Sequence, residues 1–437
     1  MIQKKIVATA FLIAFWVLGA MGVMAQNVNP SNLTSSPYSR YGLGKLGSSS
    51  NASLRGMGET GIALRTNSYT NLLNPASLTA IDTLTMLFDT AVDADMFRMS
   101  ENGVSESDWN AGFSYMSFHF PLWNRFAGAL AYSPYSMVGY EYGNETSKHI
   151  DNSLINNDTL VYTNSFLGNG GLQHFQAALA WQPLRTRTTQ LNFGLMAGYI
   201  CGTVNHAGYM FVGSGQANST YVDRDFSVHG WDIQLGAQYS QLLSPSKMLT
   251  FGATFSPSTA LNTKTSVLKY SGTDSIGQNN TGHLDMKTPM KYGFGICYQQ
   301  DRRLTVSADM SMENWSKVSG FDSNLNESED AYNNVMKLSA GFEYKPQFYS
   351  VNYFKTCLYR AGASFKNVYV KPNGSKDKEM TVSCGIGLPA GKRSIFNISA
   401  AYTHLMPSDS NRLKEDYLHF TVGITFNEMM FFRGRLR

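Results

Sequence analysis

From residue 84 onward the chain alternates apolar and polar side chains in segment after segment of about ten to fifteen residues. The last segment shows it best: Leu418, Phe420, Val422, Ile424 and Phe426 fall on one face of an extended strand. His419, Thr421, Gly423, Thr425 and Asn427 fall on the other. A period of two is that of a strand, and an apolar face opposed by small and polar residues suits a barrel wall standing in lipid. Turn signals divide the pattern into fourteen predicted strands, at 84–98, 109–120, 125–140, 171–182, 190–206, 225–241, 248–257, 286–300, 303–316, 335–345, 355–370, 379–388, 394–405 and 416–428. The fold class expected is therefore all-β, a 14-stranded antiparallel transmembrane β-barrel.

The connections support this reading. Short ones such as 121–124, 183–189, 242–247, 300–302 and 389–393 alternate with longer polar ones at 141–170, 207–224, 258–285 and 317–334. Short periplasmic turns and long outer loops are the asymmetry of an outer-membrane barrel. The predicted lumenal phase carries charges of both signs, including Asp89, Asp93, Lys337, Glu343, Arg360 and Lys366, which pair with one another or with something inside the wall. Strand three contains Ser133-Pro134. Proline donates nothing to a ladder, so this position marks either a bulge near the rim or a lateral opening.

Two segments lie outside the alternating region. Residues 1–25 combine Lys4 and Lys5, an apolar run and Val23-Met24-Ala25, which reads as a signal peptide cleaved to leave Gln26. Residues 26–83 are rich in Gly, Ser and Asn yet hold apolar anchors, among them Leu43, Met57, Ile62, Leu64, Leu72, Leu73 and Leu78. A fourteen-stranded wall encloses more space than its own side chains fill, so this segment is expected as a plug. Domains are thus expected at 1–25, 26–83 (hatch), 84–432 (barrel) and 433–437 (a short basic tail).

Within 26–83, Arg55-Gly56-Met57-Gly58, then Gly61-Ile62-Ala63-Leu64, then Asn74-Pro75-Ala76-Ser77-Leu78, resemble the N-terminal hatch of the FadL-type outer-membrane transporters. Tyr359-Arg360-Ala361-Gly362 and Asn427-Glu428-Met429-Met430-Phe431-Phe432 resemble the Bacteroidetes branch of that family. The resemblance implies a hatch tied to the wall through Gly56, Gly58 and Asn74-Pro75-Ala76. It also implies passage of long-chain fatty acids or other hydrophobic molecules, with exit through a kink in strand three, here Ser133-Pro134. Ligand contact would fall to Ile62, Leu72 and Leu73. FadL-like barrels also serve as partner subunits of outer-membrane assembly and secretion machines, and the polar lumenal phase fits that role equally.

Composition adds little against this. Mean hydropathy is −0.22, which a barrel tolerates because only alternate residues face lipid. Net charge is +4 and falls to +2 without Lys4 and Lys5, so nucleic acid is not an expected partner. No nucleophile elbow, HExxH, P-loop or dinucleotide fingerprint occurs in a usable context, and no enzyme activity, metal or cofactor is expected. The four cysteines have no metal-like spacing, and a Cys357–Cys384 bridge stays open. The partners expected are membrane lipid, a hydrophobic small molecule, and other outer-membrane or periplasmic proteins.

Overall fold

The computed structural model describes residues 34–429 except 102, 153–154, 213–218, 272–273, 276–281, 319, 322–326, 329–331, 372–373, 375, 392 and 409–412. The expected signal peptide, positions 26–33, the end of the barrel at 430–432 and the tail 433–437 lie outside the described residues.

Fourteen spanning strands close on themselves. They are β1 (Thr85–Glu101), β2 (Val104–Trp123), β3 (Phe126–Asn152), β4 (Ile155–Arg185), β5 (Thr189–Val212), β6 (Thr220–Ser244), β7 (Lys247–Ser256 and Ala260–Ser271), β8 (Gly282–Lys287 and Met290–Gln300), β9 (Leu304–Asn314), β10 (Val335–Tyr344), β11 (Leu358–Asn367), β12 (Lys378–Ala390), β13 (Ser394–Met406) and β14 (Lys414–Met429). All neighbours pair antiparallel, and β1 closes on β14 from Thr85↔Met429 to Ser100↔Lys414. Pro257 falls in the interruption of β7, where a missing donor does least harm. The short turns after β2, β4, β6, β8 and β12 share one rim with both barrel ends, the periplasmic one.

The strands differ in height. β3 and β4 run for 27 and 31 residues, roughly three times the 9–11 needed to cross a bilayer. Much of the expected loop 141–170 is therefore a continuation of these two strands, paired as far as Asn152↔Ile155. The alternation could not reveal it, because beyond the bilayer lipid no longer selects an apolar outer face.

Burial is inverted relative to a soluble protein. Trp231, Phe294, Leu130, Val382 and Leu195 are exposed, whereas Ser117, Gln238, Asn192, Ser307, Asn397 and Thr425 are buried. An apolar outside and a polar inside on a closed antiparallel wall is the arrangement for hydrocarbon, and the chain is an outer-membrane barrel. Among the described residues no helix is long and apolar enough to cross a membrane. All four cysteines are free: Cys384 is exposed on the outer face, and Cys297 and Cys357 are buried.

Residues 34–83 run through the inside of this wall. They form short pieces, namely the 3₁₀ turn Pro37–Arg40, the two-residue strand Lys45–Leu46, the helical turn Ala52–Arg55 and the 3₁₀ turn Pro75–Ala80. None could be stable alone. Leu43, Leu54, Met57, Leu64, Tyr69 and Leu78 are each at most 2 % exposed, so the packing against the wall stabilises what propensity does not.

Candidate functional site: the filled lumen and the seam beside strand three

Each helical piece of the inner segment is capped by a side chain, and these caps also reach further. Asn51 Oδ1 accepts from Leu54 N at 2.9 Å, which starts the helical turn, while its Nδ2 donates to Thr70 O. Asn74 Oδ1 accepts from Ala76 N at 3.0 Å, and Pro75 supplies the fixed φ of a first helical residue. The Asn74 amide then donates to Ile62 O at 2.8 Å and to Ala237 O on β6 at 3.2 Å. One residue thereby starts the 3₁₀ turn, holds the chain at Ile62 and touches the wall.

The chain turns back at Gly58 and Glu59, both in the left-handed region at φ 69° and 60°. Glycine accepts this freely, and Gly58 N donates to Ser383 Oγ at 2.9 Å. For Glu59 the conformation is strained. Its carboxylate is ion-paired with Lys337 of β10. Burial would raise the Glu59 carboxyl, but the Lys337 ammonium outweighs it and holds the group well below the usual carboxylate range. Arg55 forms a second pin, 2.5 Å from Asp93 of β1. A third uses no opposite charge: Asp309 Oδ2 of β9 accepts from Gly61 N and Ile62 N, at 2.6 and 2.9 Å. Burial pulls the Arg65 guanidinium down to about 10; it donates to Thr79 Oγ1 and Gln238 Oε1.

The other charges expected on the lumenal face lie inside and are partnered. Arg360 Nε donates to Glu343 at 2.7 Å and Nη1 to Asn397 Oδ1 at 2.8 Å. Lys366 pairs with Glu379 at 3.0 Å. Asp89 accepts from Tyr115 Oη at 2.9 Å.

Sequence reasoning missed the feature that brings wall and segment together. Gly194, Gly236, Gly252, Gly295, Gly341, Gly362, Gly385 and Gly423 occupy lumenal positions on eight strands, and each faces the inner segment. Three pairs are register partners: Gly194↔Gly236, Gly252↔Gly295 and Gly341↔Gly362. A Cβ on Gly252 would stand 2.2 Å from Ile62 O, on Gly341 2.1 Å from Met57 O, and on Gly194 2.3 Å from Pro75 C. Backbone meets backbone there with no room for a methyl group. The signal was present as glycine on the polar phase of mid-strand, but its meaning needs the register of all the strands.

Of the other expected site residues, Ile62 and Leu72 are 7 and 8 % exposed. Leu72 packs with Leu78, Ile81, Leu87 and Ala127, and Leu73 packs against Leu54, Ala63, Leu64 and Tyr69. Gly56 ends the helical turn against Gly385 of β12. A recess of about 220 Å³ at the outer mouth is lined by Arg40, Tyr140, Phe166, His206 and Arg224. An apolar groove of about 650 Å³ lies on the lipid face between Phe294, Ile296, Leu338 and Phe365. Among the described residues no group of three or more His, Cys, Asp or Glu could hold a metal ion.

Strand three carries the second feature. Its ladder with β2 runs from Trp123↔Phe126 only to Met116↔Tyr132. Ser133 and Pro134 follow at once, facing His174 and Gln173 of β4, and the register with β4 shifts between Pro134 and Ser136. Beyond that point the edge of β3 turned toward β2 is taken by the inner segment. Lys45↔Met137 and Leu46↔Ser136 pair antiparallel, Gly47 N donates to Tyr135 O at 2.8 Å, and Gly139 N donates to Ser39 Oγ at 3.2 Å. The Lys45 ammonium crosses to β14, 3.9 Å from the centre of the Tyr417 ring. Ser36 Oγ donates to Glu415 of the same strand at 2.7 Å.

Solved structures share this architecture. The Ralstonia pickettii toluene transporter TbuX superposes with a TM-score of 0.56 at 15% identity, covering 86% of this chain and 97% of that one. A Pseudomonas aeruginosa FadL homologue gives 0.54 at 11%, covering 87% and 99%. The Pseudomonas putida toluene transporter TodX gives 0.53 at 16%, covering 89% and 100%. At these identities the likeness is one of fold. No curated protein matches the sequence. The family model described as BamG matches residues 1–436, essentially the whole length, and the chain belongs to the BamG family.

Proposed function

We propose that this barrel is a non-transporting subunit of an outer-membrane protein assembly or secretion complex, with residues 34–83 as a fixed hatch and its function on its outer surfaces. One observation carries the reading: the hatch lies against the wall at lumenal glycines of eight strands, backbone against backbone at six of them. A conduit for hydrophobic molecules needs an apolar path. Here the wall offers buried Ser, Thr, Asn and Gln beside residues 51–78, and its buried apolar residues, among them Val138, Leu172, Ile200, Phe226 and Leu261, are packed in one cluster with Leu43 and Trp315, while Leu72 and Leu73 are packed in two others. The tall β3–β4 ribbon supplies a surface beyond the membrane for contact with other proteins.

A second reading is favoured by the short β2–β3 ladder. If Lys45–Leu46 left the edge of β3, a lateral opening would form beside Ser133-Pro134, through which fatty acids or other hydrophobic molecules could pass into the membrane. Reconstitution of the full chain into liposomes separates the two. The first reading predicts no faster entry of a fluorescent fatty acid or of small sugars than in empty liposomes. A disulfide placed between Leu46→Cys and Ser136→Cys, register partners at a distance a disulfide spans, should then change nothing. Uptake by the native chain that this disulfide abolishes would establish the second reading and end the first.

A further inference from the structure

We infer that the periplasmic turn between β10 and β11 is the docking point for a periplasmic partner protein that presents acidic side chains around an apolar pocket. The inference deepens the subunit reading and rests on it. The other short turns on this rim are a few polar residues long, whereas this one runs from Lys345 to Cys357. It exposes Phe348, Tyr349, Val351 and Phe354 at 40, 95, 108 and 65 %. Side chains lying on the lipid face of the same strands, such as Phe342 and Tyr344, are 45 and 43 % exposed, because neighbours cover their flanks. Tyr349 and Val351 therefore stand clear of the wall at the tip of the turn.

The tip is held in place. Gln347 N donates to Lys355 O at 2.8 Å, Asn352 Oδ1 accepts from Phe354 N at 3.1 Å, and Tyr359 Oη donates to Phe354 O at 2.9 Å. The turn also leans on both neighbours. Lys345 N donates to Arg303 O at 2.8 Å, and Tyr353 Oη donates to Pro389 O at 3.0 Å. A fixed aromatic tip loses little side-chain freedom when it enters a pocket, and aromatic and Arg side chains are those enriched where interfaces bind most tightly.

Charge selects the partner. Arg302 and Arg303 lie on the turn before, Lys345 and Lys355 at the base, and Arg393 on the turn after. None of the five forms an ion pair among the described residues, and the same three turns carry one acid, Asp301. Gln347, Ser350 and Asn352 alternate with the apolar residues at the tip, a mixture that fits a protein surface better than hydrocarbon.

The test is photocrosslinking in cells from p-benzoylphenylalanine at Tyr349 and Val351 of the full chain, with Val104 at the opposite rim as a second probe site. The expected result is a protein adduct at both tip positions, mapped to an acidic segment of its partner, that drops at least tenfold in an Arg302→Glu/Arg303→Glu variant whose barrel still shows heat-modifiable mobility. Adducts to lipid, no adduct at the tip, or an adduct indifferent to the charge reversal would overturn the inference. If the tip is silent while Val104 still captures protein, the docking point is lost and the subunit reading stands. If neither rim captures protein, both fall.

Discussion

Replacing Gly252 by alanine tests the seal between hatch and wall. The new methyl would stand 2.2 Å from Ile62 O, where real contacts stay above 3.0 Å, so the hatch must retreat by about 0.8 Å or strain. Ile62 O accepts from Asn74 Nδ2 at 2.8 Å and from Gln238 Nε2 at 2.9 Å, and Gln238 is the register partner of Gly252. Retreat stretches the Gln238 bond beyond its useful range, a loss of about 1 kcal/mol. Overpacking adds about 1–3 kcal/mol, and the two together, roughly 2–4 kcal/mol, raise local opening some thirty- to a thousandfold. Hydrogen exchange across residues 51–78 in detergent reads this directly. Gly208→Ala is the control, because the nearest atom there, in the Phe166 ring, is 3.7 Å away. Heat-modifiable mobility verifies that both barrels have closed. Equal protection in the two variants would refute backbone contact as the seal.

Other outcomes follow from the same geometry. Asn74→Ala removes a cap and the bonds to Ile62 and Ala237; it should cost about 1–2 kcal/mol, seen as faster proteolysis after Arg65 in an otherwise resistant barrel. Because the Glu59 carboxyl is held below its ordinary value of 4.5, its ion pair with Lys337 is fully present above that value and fades only as pH falls through the depressed one. Intrinsically corrected exchange of residues 56–61 should therefore be flat from pH 8 to pH 5 and raised throughout in Glu59→Gln. Arg360→Met strands Glu343 without its cation; breaking such a pair should cost about 3–5 kcal/mol, read as a lower melting temperature of the barrel.

Strands with one wet and one greasy face were legible in the sequence, as β14 shows: its alternation from Leu418 to Phe426 is the pattern the lipid requires. The same physics hid the upper parts of β3 and β4, where no lipid selects an apolar outer face and the sequence from Glu141 to Asn152 does not alternate. Asn74-Pro75 was legible as a fixed turn because proline and a capping side chain act locally. The seam was not. Lys45–Leu46 is two residues long, and only the early end of the β2–β3 ladder gives it a place to pair. The lumenal glycines lay between: Gly252 was visible on the polar phase of β7, but that it faces Ile62 depends on contacts nearly two hundred residues apart in the chain.

Purification of the full chain from native membrane in mild detergent, with mass spectrometry of the proteins and lipids that come with it, tests the subunit reading most directly. The expected result is a stoichiometric complex with other envelope proteins and a hatch empty of extractable fatty acid. A lone barrel carrying fatty-acid-like molecules would contradict it and return the lumen to the centre of the function.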